Sequence, residues 1–224
     1  MATYTIDADT ADGYVICSDA TYSVARDGTG TLTAVGGASP DHAIVGQQVT
    51  ASVYYCIEYF VSFDTSTVIG TPVSCELSLY AWSAQTLASL YNNFTAEARL
   101  YDWGAAVTSG DFIAGASLGA LPLLATCDAA AFAIADTYVP FTENASNFVG
   151  NINPGGMTRL VITSSRHRLG TVPDVGPGPV GSATDSYEEI FFRQAEWVGA
   201  KAPQLVIVTA GGGWSVGQVR MGAN

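Results

Sequence analysis

Apolar and polar residues alternate along most of this 224-residue chain, which is the pattern of β-strands that face a core on one side. The clearest run covers residues 53–63, where every second side chain from Tyr55 to Phe63 is apolar. Its aromatic and β-branched content is typical of a long strand in the middle of a sheet. Similar patterns predict further strands at 21–26, 31–35, 75–82, 94–103, 137–142, 158–164, 187–193, 204–209 and 214–219.

Helical patterns are few and short. Ser83 and Ser109 are each suited to cap one short turn of helix. Many short strands, few helices and frequent Gly and Pro residues predict an all-β fold. We therefore expect a jelly-roll-like antiparallel β-sandwich with one or two short helices.

Two segments depart from the strand pattern. Residues 170–186 contain four glycines and three prolines, which predicts a long exposed loop. We expect residues 1–210 to form one sandwich domain and residues 211–224 to form a C-terminal tail after a Gly-Gly-Gly hinge. The tail is apolar, so it is expected either to contact a neighbouring molecule in an assembly or to add one more edge strand. Its candidate contact residues are Trp214, Val216, Val219 and Met221.

Composition excludes several classes of partner. Charged residues make up 12% of the chain, about half the roughly 25% that is usual for soluble domains. Twenty acidic residues against eight basic ones give a net charge of −12. A nucleic-acid backbone and an anionic membrane surface both need a basic patch on the protein, so we expect neither as a partner.

The N-terminus and the cysteines bear on the compartment. Asp7 and Asp9 stand where a signal peptide needs basic residues and an apolar run, which predicts synthesis in a cytosol. The four cysteines have no metal-binding spacing and are expected to be small, reduced core residues. The alternative is a disulfide between Cys56 and Cys75, formed under oxidising conditions. The cysteines are Cys17, Cys56, Cys75 and Cys127.

One short motif has the pattern of a catalytic site. Residues 115–119, Gly-Ala-Ser-Leu-Gly, match the GxSxG elbow of serine hydrolases, and Asp136 and His167 follow Ser117 in the hydrolase order. The elbow needs a buried strand before the serine and a helix after it, which the surrounding pattern does not supply. We therefore expect no catalytic residue and no enzymatic activity.

Oxygen ligands for a metal ion are present but poorly spaced. Asp7, Asp9 and Asp12 resemble the start of a calcium loop, although the spacing is off by one and the closing Glu is absent. Asp64 and Glu143 are further candidates at a sandwich rim. We expect solvated turn residues and no cofactor, with calcium as the remaining alternative.

Aromatic and basic residues suggest two surface sites. The tryptophans are expected to pack in the core or at a subunit contact, with stacking on sugar rings as the alternative for any that are exposed. Arg166-His-Arg168 is the only basic cluster, and we expect a solvated strand end there, with a carboxylate clamp as the alternative. The candidate glycan-stacking residues are Trp82, Trp103 and Trp197.

Several segments together resemble one known family. These are Val45-Gly-Gln47, 59–66, Leu77-Ser-Leu-Tyr80, Tyr101-Asp-Trp-Gly104, 160–168 and 203–208. Over about residues 20–209 the chain resembles the DNRLRE or disaggregatase-related domain, a jelly roll associated with carbohydrate-binding modules. The YDWG and SSRHR segments make it most similar to such domains in structural proteins of tailed bacteriophages. Glu58 departs from the pattern, because these domains often carry Arg at that position.

The resemblance implies a non-enzymatic virion protein. It would be a capsid decoration or auxiliary head protein, or a tail-associated module such as a minor tail protein. Such a protein would be a homo-oligomer that contacts other virion proteins, located in the virion after assembly in the host cytoplasm. The alternative is a carbohydrate-binding module that attaches to a host-cell glycan.

Overall fold

The computed structural model describes residues 1–36, 42–82, 94–134, 136–173, 185–195 and 201–210. These residues form two antiparallel β-sheets, which confirms the predicted all-β sandwich. The strands are β1 (Ala2–Asp7), β2 (Gly13–Asp19), β3 (Thr31–Gly36), β4 (Ala43–Thr50), β5 (Val53–Asp64), β6 (Pro72–Tyr80), β7 (Thr95–Leu100), β8 (Leu123–Asp128), β9 (Tyr138–Pro140), β10 (Thr142–Glu143), β11 (Met157–Ser164), β12 (Ser186–Phe192) and β13 (Gln204–Thr209).

The two sheets differ in size. The small sheet has the order β1-β13-β6-β9. The large sheet has the order β10-β8-β7-β11-β5-β2-β3, and β4 joins it through β5 and carries β12 on its other side. The short helices are α1 (Tyr22–Arg26), α2 (Gly115–Leu118), α3 (Asn147–Gly150) and α4 (Ser165–Leu169), with 3₁₀ turns at Ser109–Asp111 and Ala129–Ala133. No helix among the described residues is long and apolar enough to cross a membrane.

The main core lies between the sheets. Alternating residues of β5, including Tyr59, Val61 and Phe63, are fully buried there against Leu77 of β6 and Leu205 of β13. Burial of one apolar side chain stabilises the fold by about 1.5–3 kcal/mol. The alternation in the sequence therefore identifies this face of β5 correctly.

The outer face of the large sheet is also buried. Phe60 of β5 and Val161 of β11 form a second apolar cluster with Trp103 and Leu118. The last two belong to residues 101–121, which join β7 to β8 and which we call the cover segment. Because it lies over the sheet, β5 is buried on both faces, as its run of eight consecutive buried residues shows.

The large sheet divides beside Glu58. On one edge, β5 pairs with β4 over residues 53–57 and with β11 over residues 59–64. Strand β4 carries Gly46 opposite Ile57 with φ +144°, and a Cβ atom there would lie 2.1 Å from the backbone oxygen of Glu188. Only glycine fits such a position, which lies next to the point where β5 changes its partner from β4 to β11.

Several predicted elements need correction. The predicted strand at 21–26 is helix α1 (Tyr22–Arg26) instead, because Asp19 accepts a hydrogen bond from the Thr21 N–H and Tyr22 and Ala25 share the buried side of a turn. The predicted strand at 137–142 is divided into β9 and β10. The turn predicted at Ser109 is a 3₁₀ turn capped by Thr108. The turn at Ser83 and the strand at 214–219 lie outside the described residues.

Candidate functional site

Five ionisable side chains lie between the outer face of the large sheet and the elements that cover it. We call them the buried charge cluster: Glu58, Glu97, Arg99, His167 and Arg168. Strands β5 and β7 and helix α4 supply them. On β7 the neighbouring alanines face the main core, so the alternation of the strand turns its charged residues outward toward the cover.

Glu97 binds two guanidinium groups at once. Its side chain is 5% exposed. Nε and Nη2 of Arg99 donate to Oε2 of Glu97 at 3.0 and 2.8 Å. Nη1 of Arg99 donates to the backbone oxygen of Leu121 at 2.7 Å. Arg168 donates from Nε and Nη2 to both carboxylate oxygens at 2.8–3.1 Å. These bidentate bonds attach α4 and the cover segment to β7.

Glu58 and His167 form the other half of the cluster. Oε1 of Glu58 lies 3.5 Å from Nδ1 of His167, and both side chains are fully buried. Burial raises the pKa of Glu58 well above its usual value, although the N–H of Ile113 donates to Oε2 at 2.9 Å and opposes the shift. Burial also lowers the pKa of His167 to about 4. At neutral pH His167 is therefore uncharged.

The ring nitrogens of His167 have internal partners. Nε2 lies 3.2 Å from the backbone oxygen of Arg26, which fixes it as the donor, so Nδ1 is the acceptor. The hydroxyl of Thr163 lies 3.4 Å from Nδ1. This arrangement orients the ring inside the protein and leaves it no contact with solvent.

The basic cluster is not the solvated strand end that the sequence predicts. Arg166 and Arg168 belong to α4, capped by the Ser164 hydroxyl, and clamp internal carboxylates. Nε of Arg166 lies 2.8 Å from Oε2 of Glu188, which also accepts a bond from Gln47 at 2.6 Å. The two arginines thus clamp carboxylates, as the alternative prediction had it, and these carboxylates belong to the same chain.

The GxSxG residues do not form a nucleophile elbow. Ser117 is exposed on α2, a single helical turn with no strand directly before it. Asp136 lies elsewhere, beside Tyr80 and Lys201. Because His167 is buried with both nitrogens engaged, the three residues of the hydrolase order are not brought together.

We expect Ser117 to be unreactive. A fluorophosphonate probe should label the protein no faster than it labels Ser117→Ala, because no described imidazole can take the proton of the hydroxyl. Intact-mass spectrometry over several hours measures the adduct, with a known serine esterase as the positive control. Stoichiometric labelling that is lost in Ser117→Ala would contradict this expectation.

The candidate calcium ligands do not converge. Asp7 accepts a bond from the Gln204 side chain, Asp9 from the Ala11 N–H, and buried Asp12 from the Tyr59 hydroxyl. Within the described ranges no three acidic, His or Cys residues lie close enough together to hold a metal ion. The other two candidates are local caps, Asp64 on the N–H of Ser66 and Glu143 on the N–H of Val149.

The tryptophans differ in accessibility. Trp103 is 5% exposed in the outer cluster, so it packs in the interior as expected, and the glycan-stacking alternative is wrong for this residue. Trp82 is half-buried, with the His42 ring stacked on it at 4.3 Å and the Arg193 guanidinium 5.5 Å from its centroid. Trp197 lies outside the described residues. So do the tail candidates Trp214, Val216, Val219 and Met221.

The cysteines are buried, which confirms their prediction as core residues, and they form no disulfide in this structure. Cys75 belongs to the core between the sheets, whereas Cys56 lies opposite Cys17 in the pairing of β5 with β2. Burial raises the pKa of Cys127 to about 11. These thiols are therefore weak nucleophiles.

A surface groove of about 440 Å³ is the remaining concave feature that we describe. It lies where the ends of β7 and β11 meet residues 151–153. Its polar lining includes Asp102 and Arg159, whose side chains are 2.9 Å apart. Sequence analysis missed it, although the Tyr-Asp-Trp-Gly turn at 101–104 marks one side.

No protein-family model matches the chain, and no curated protein matches it. The resemblance to the DNRLRE or disaggregatase-related domain therefore stays a prediction.

Proposed function

We propose that the chain is a non-enzymatic structural protein of a bacteriophage particle, a capsid decoration or tail-associated module that acts through its outer surface. The observation that carries the proposal is an exposed apolar patch beside Ala210, the residue from which the predicted tail continues. The resemblance of the sequence to domains of phage structural proteins supports the same role.

The interior supports this role indirectly. Arg168 binds Glu97, and Arg166 binds Glu188. His167 hydrogen-bonds to a backbone oxygen of α1. Ser117 has no described base beside it. The ionisable side chains that could take part in catalysis thus stabilise the fold instead. This favours a function that is carried by the outer surface.

The apolar patch lies near one end of the small sheet. It consists of Met1, Ile69 and Val73, and we call it the terminal patch. Ile69 is 78% exposed, and its backbone exchanges hydrogen bonds with the Tyr4 hydroxyl at 3.2–3.3 Å. Large exposed apolar side chains that occur together are typical of protein–protein contacts.

The terminal patch adjoins the point where the described chain stops. Ala2 and Pro72 both pair with Thr209, and the N–H of Ala210 donates to the backbone oxygen of Thr71 at 2.9 Å. The chain therefore enters the predicted tail beside the terminal patch. On a symmetric particle such modest contacts are repeated, and avidity makes them sufficient.

We expect the double substitution Ile69→Asp and Val73→Asp to lower incorporation into particles without unfolding the domain. Both side chains are exposed, so new carboxylates add little strain but oppose burial against a neighbour. The copy number per purified particle, measured by quantitative mass spectrometry, gives the effect. Ile134→Asp is the matched control, because Ile134 is 69% exposed and lies near the opposite end of β6, close to Asp136.

Deletion of 211–224 tests the tail separately. The truncated protein should keep the thermal unfolding midpoint of the full chain and should be incorporated less well. Normal incorporation of both the truncated protein and the double variant would contradict the proposal. An equal loss of incorporation in Ile134→Asp would show that the added charge lowers incorporation regardless of its position on the surface.

A further inference from the structure

We infer that the open edge of β3 pairs with β3 of a second copy of this chain, across a twofold axis at Thr33. Strand β3 lies at one end of the large sheet, and among the described residues it pairs with β2 alone. The backbone groups on its other side can therefore bind another strand. The inference goes beyond the assembly role, because such a pair forms without a particle.

The register of β3 shows which of its backbone groups face outward. The backbone oxygen of Val35 lies 2.6 Å from the position of a Cβ atom on Gly13 of β2, so Val35 directs its carbonyl group toward β2. Backbone groups alternate in direction along a strand. Thr33 therefore also faces β2, while Leu32 and Ala34 direct their N–H and C=O groups to the open edge. The pairing with β2 has no register shift that would reverse this alternation.

The other edges of the described sheets are less suited to pairing. Strand β9 has three residues and ends in Pro140, and β10 has two residues. The outer side of β12 is already bonded to the segment after β6, since the N–H of Trp82 donates to the oxygen of Phe191 at 3.2 Å. Strand β1 is as long as β3 but carries Asp7, and an edge charge opposes pairing with another chain. Strand β3 has neither a charged residue nor a proline.

Charge and side chains favour a second copy as the partner of this edge. The chain carries a net charge of −12, so two copies repel each other wherever their acidic residues meet. The uncharged edge of β3 avoids that repulsion, and it gives a basic partner no carboxylate to bind. Leu32 and Ala34 pack against the outer apolar cluster but are only half-buried. A second strand beside them would complete their burial.

A twofold axis restricts the register of the two strands. Residues that face outward on one copy must lie opposite residues that face outward on the other, because only these can exchange hydrogen bonds. With the axis at Thr33, the large Leu32 of each copy lies opposite the small Ala34 of the other, and each of these two pairs exchanges two bonds. The two Thr33 side chains then meet at the axis, which is a favourable cross-strand pair.

Sedimentation equilibrium over a range of concentrations measures the self-association of the full chain. We expect a monomer–dimer equilibrium that Ala34→Pro weakens about tenfold or more, because proline removes one outward N–H from each copy. The substitution leaves the bonds between β3 and β2 in place, since the alternate residues make them. Thr33→Lys is the second variant. Thr33 is exposed, so lysine is tolerated in the monomer, but it places two like charges at the axis.

Thr5→Pro is the matched control on the open edge of β1. The N–H of Ala8 donates to the backbone oxygen of Pro203 at 2.8 Å, which continues the register of β1 with β13. By the same alternation the N–H of Thr5 faces away from β13. The control therefore removes an outward N–H from an edge of equal length, and it should leave the dissociation constant of the dimer unchanged.

Thr33→Cys tests the position of the axis. Cα atoms of a non-hydrogen-bonded pair lie about 4.5 Å apart, which a disulfide can span. Hydrogen peroxide should therefore oxidise the two new thiols to one disulfide, with its own reduction to water, and give a covalent dimer that dithiothreitol separates. The native cysteines are buried, so the background is low. Thr5→Cys, an exposed threonine on the other edge, should give no more covalent dimer than the wild type.

The outcomes are decisive because thermal unfolding midpoints identify any variant that fails to fold. A chain that stays monomeric up to about 1 mM would overturn the inference, and so would a dimer that folded Thr33→Lys leaves intact. Loss of the dimer in the Ile69→Asp and Val73→Asp protein, or after deletion of 211–224, with retention in the β3 variants would assign the contact to the terminal patch or the tail. A Thr33→Cys dimer that does not crosslink would refute the axis. Particle incorporation is measured separately, so the two proposals fail independently.

Discussion

Glu97→Gln is expected to lower the free energy of unfolding by about 3–5 kcal/mol, the usual cost of removing one partner of a buried ion pair. Glu97 is the common acceptor for Arg99 and Arg168. A neutral amide leaves two guanidinium groups without a counter-charge, and that of Arg99 is as buried as Glu97 itself. The amide also offers one acceptor atom in place of two, so some of these donors lose their bonds.

Urea denaturation at pH 7 measures the change. The matched control is Asp102→Asn, which neutralises the acid of the exposed pair with Arg159 and should cost less than about 1 kcal/mol. If the two substitutions cost the same, the buried charge cluster does not stabilise the fold in the way that its geometry implies.

Between pH 5 and pH 8 the wild-type protein is expected to lose about 3 kcal/mol of stability relative to Glu189→Gln. Burial raises the pKa of Glu189 from 4.5 to about 8, and its Oε1 atom has no hydrogen-bond partner among the described residues. Above pH 4.5 the unfolded chain releases this proton while the folded protein keeps it. Stability therefore falls as the pH rises toward 8. The glutamine variant has no proton to lose and avoids this penalty.

The comparison cancels the other titrating groups. His167 changes the stability in the opposite direction. Its pKa is lowered to about 4, so the folded protein keeps the ring neutral while the unfolded chain takes up a proton, and stability falls as the pH falls from 6.5 to 4. It occurs in both proteins, as does Glu58. Urea titrations at half-unit pH steps give the difference in unfolding free energy. A difference that stays constant from pH 5 to pH 8 would mean that Glu189 is not a buried protonated acid.

The success of sequence analysis depended on uninterrupted alternation. Strand β5 was predicted because aromatic and β-branched residues alternate over its whole length. Strand β4 was missed because Gly46 and two glutamines interrupt its apolar pattern, yet Gln47 is buried through its bonds to Tyr22 and Glu188. A buried polar residue with internal partners looks like a surface residue in the sequence.

The sites were harder to predict than the fold, because they depend on contacts between distant segments. Glu58 and His167 approach only because β4 and β11 separate and α4 follows β11. The groove needs the pairing of Leu100 with Leu160 to bring the cover segment beside residues 151–159. Composition did show how few charges the chain has, but it could not show that the arginines of the Arg-His-Arg cluster bind carboxylates of the same chain.

The pairing of β1 with β13 sets the timing of folding. Asp7 and Gln204, joined by a 2.9 Å side-chain hydrogen bond, are 197 residues apart. During synthesis β1 has no partner until β13 leaves the ribosome, after roughly 10–40 s at about 5–20 residues per second. Until then the inner side of the large sheet lacks two of the strands that cover it. Such long-range closure makes folding slow, so the nascent chain is exposed to aggregation until β13 can pair with β1.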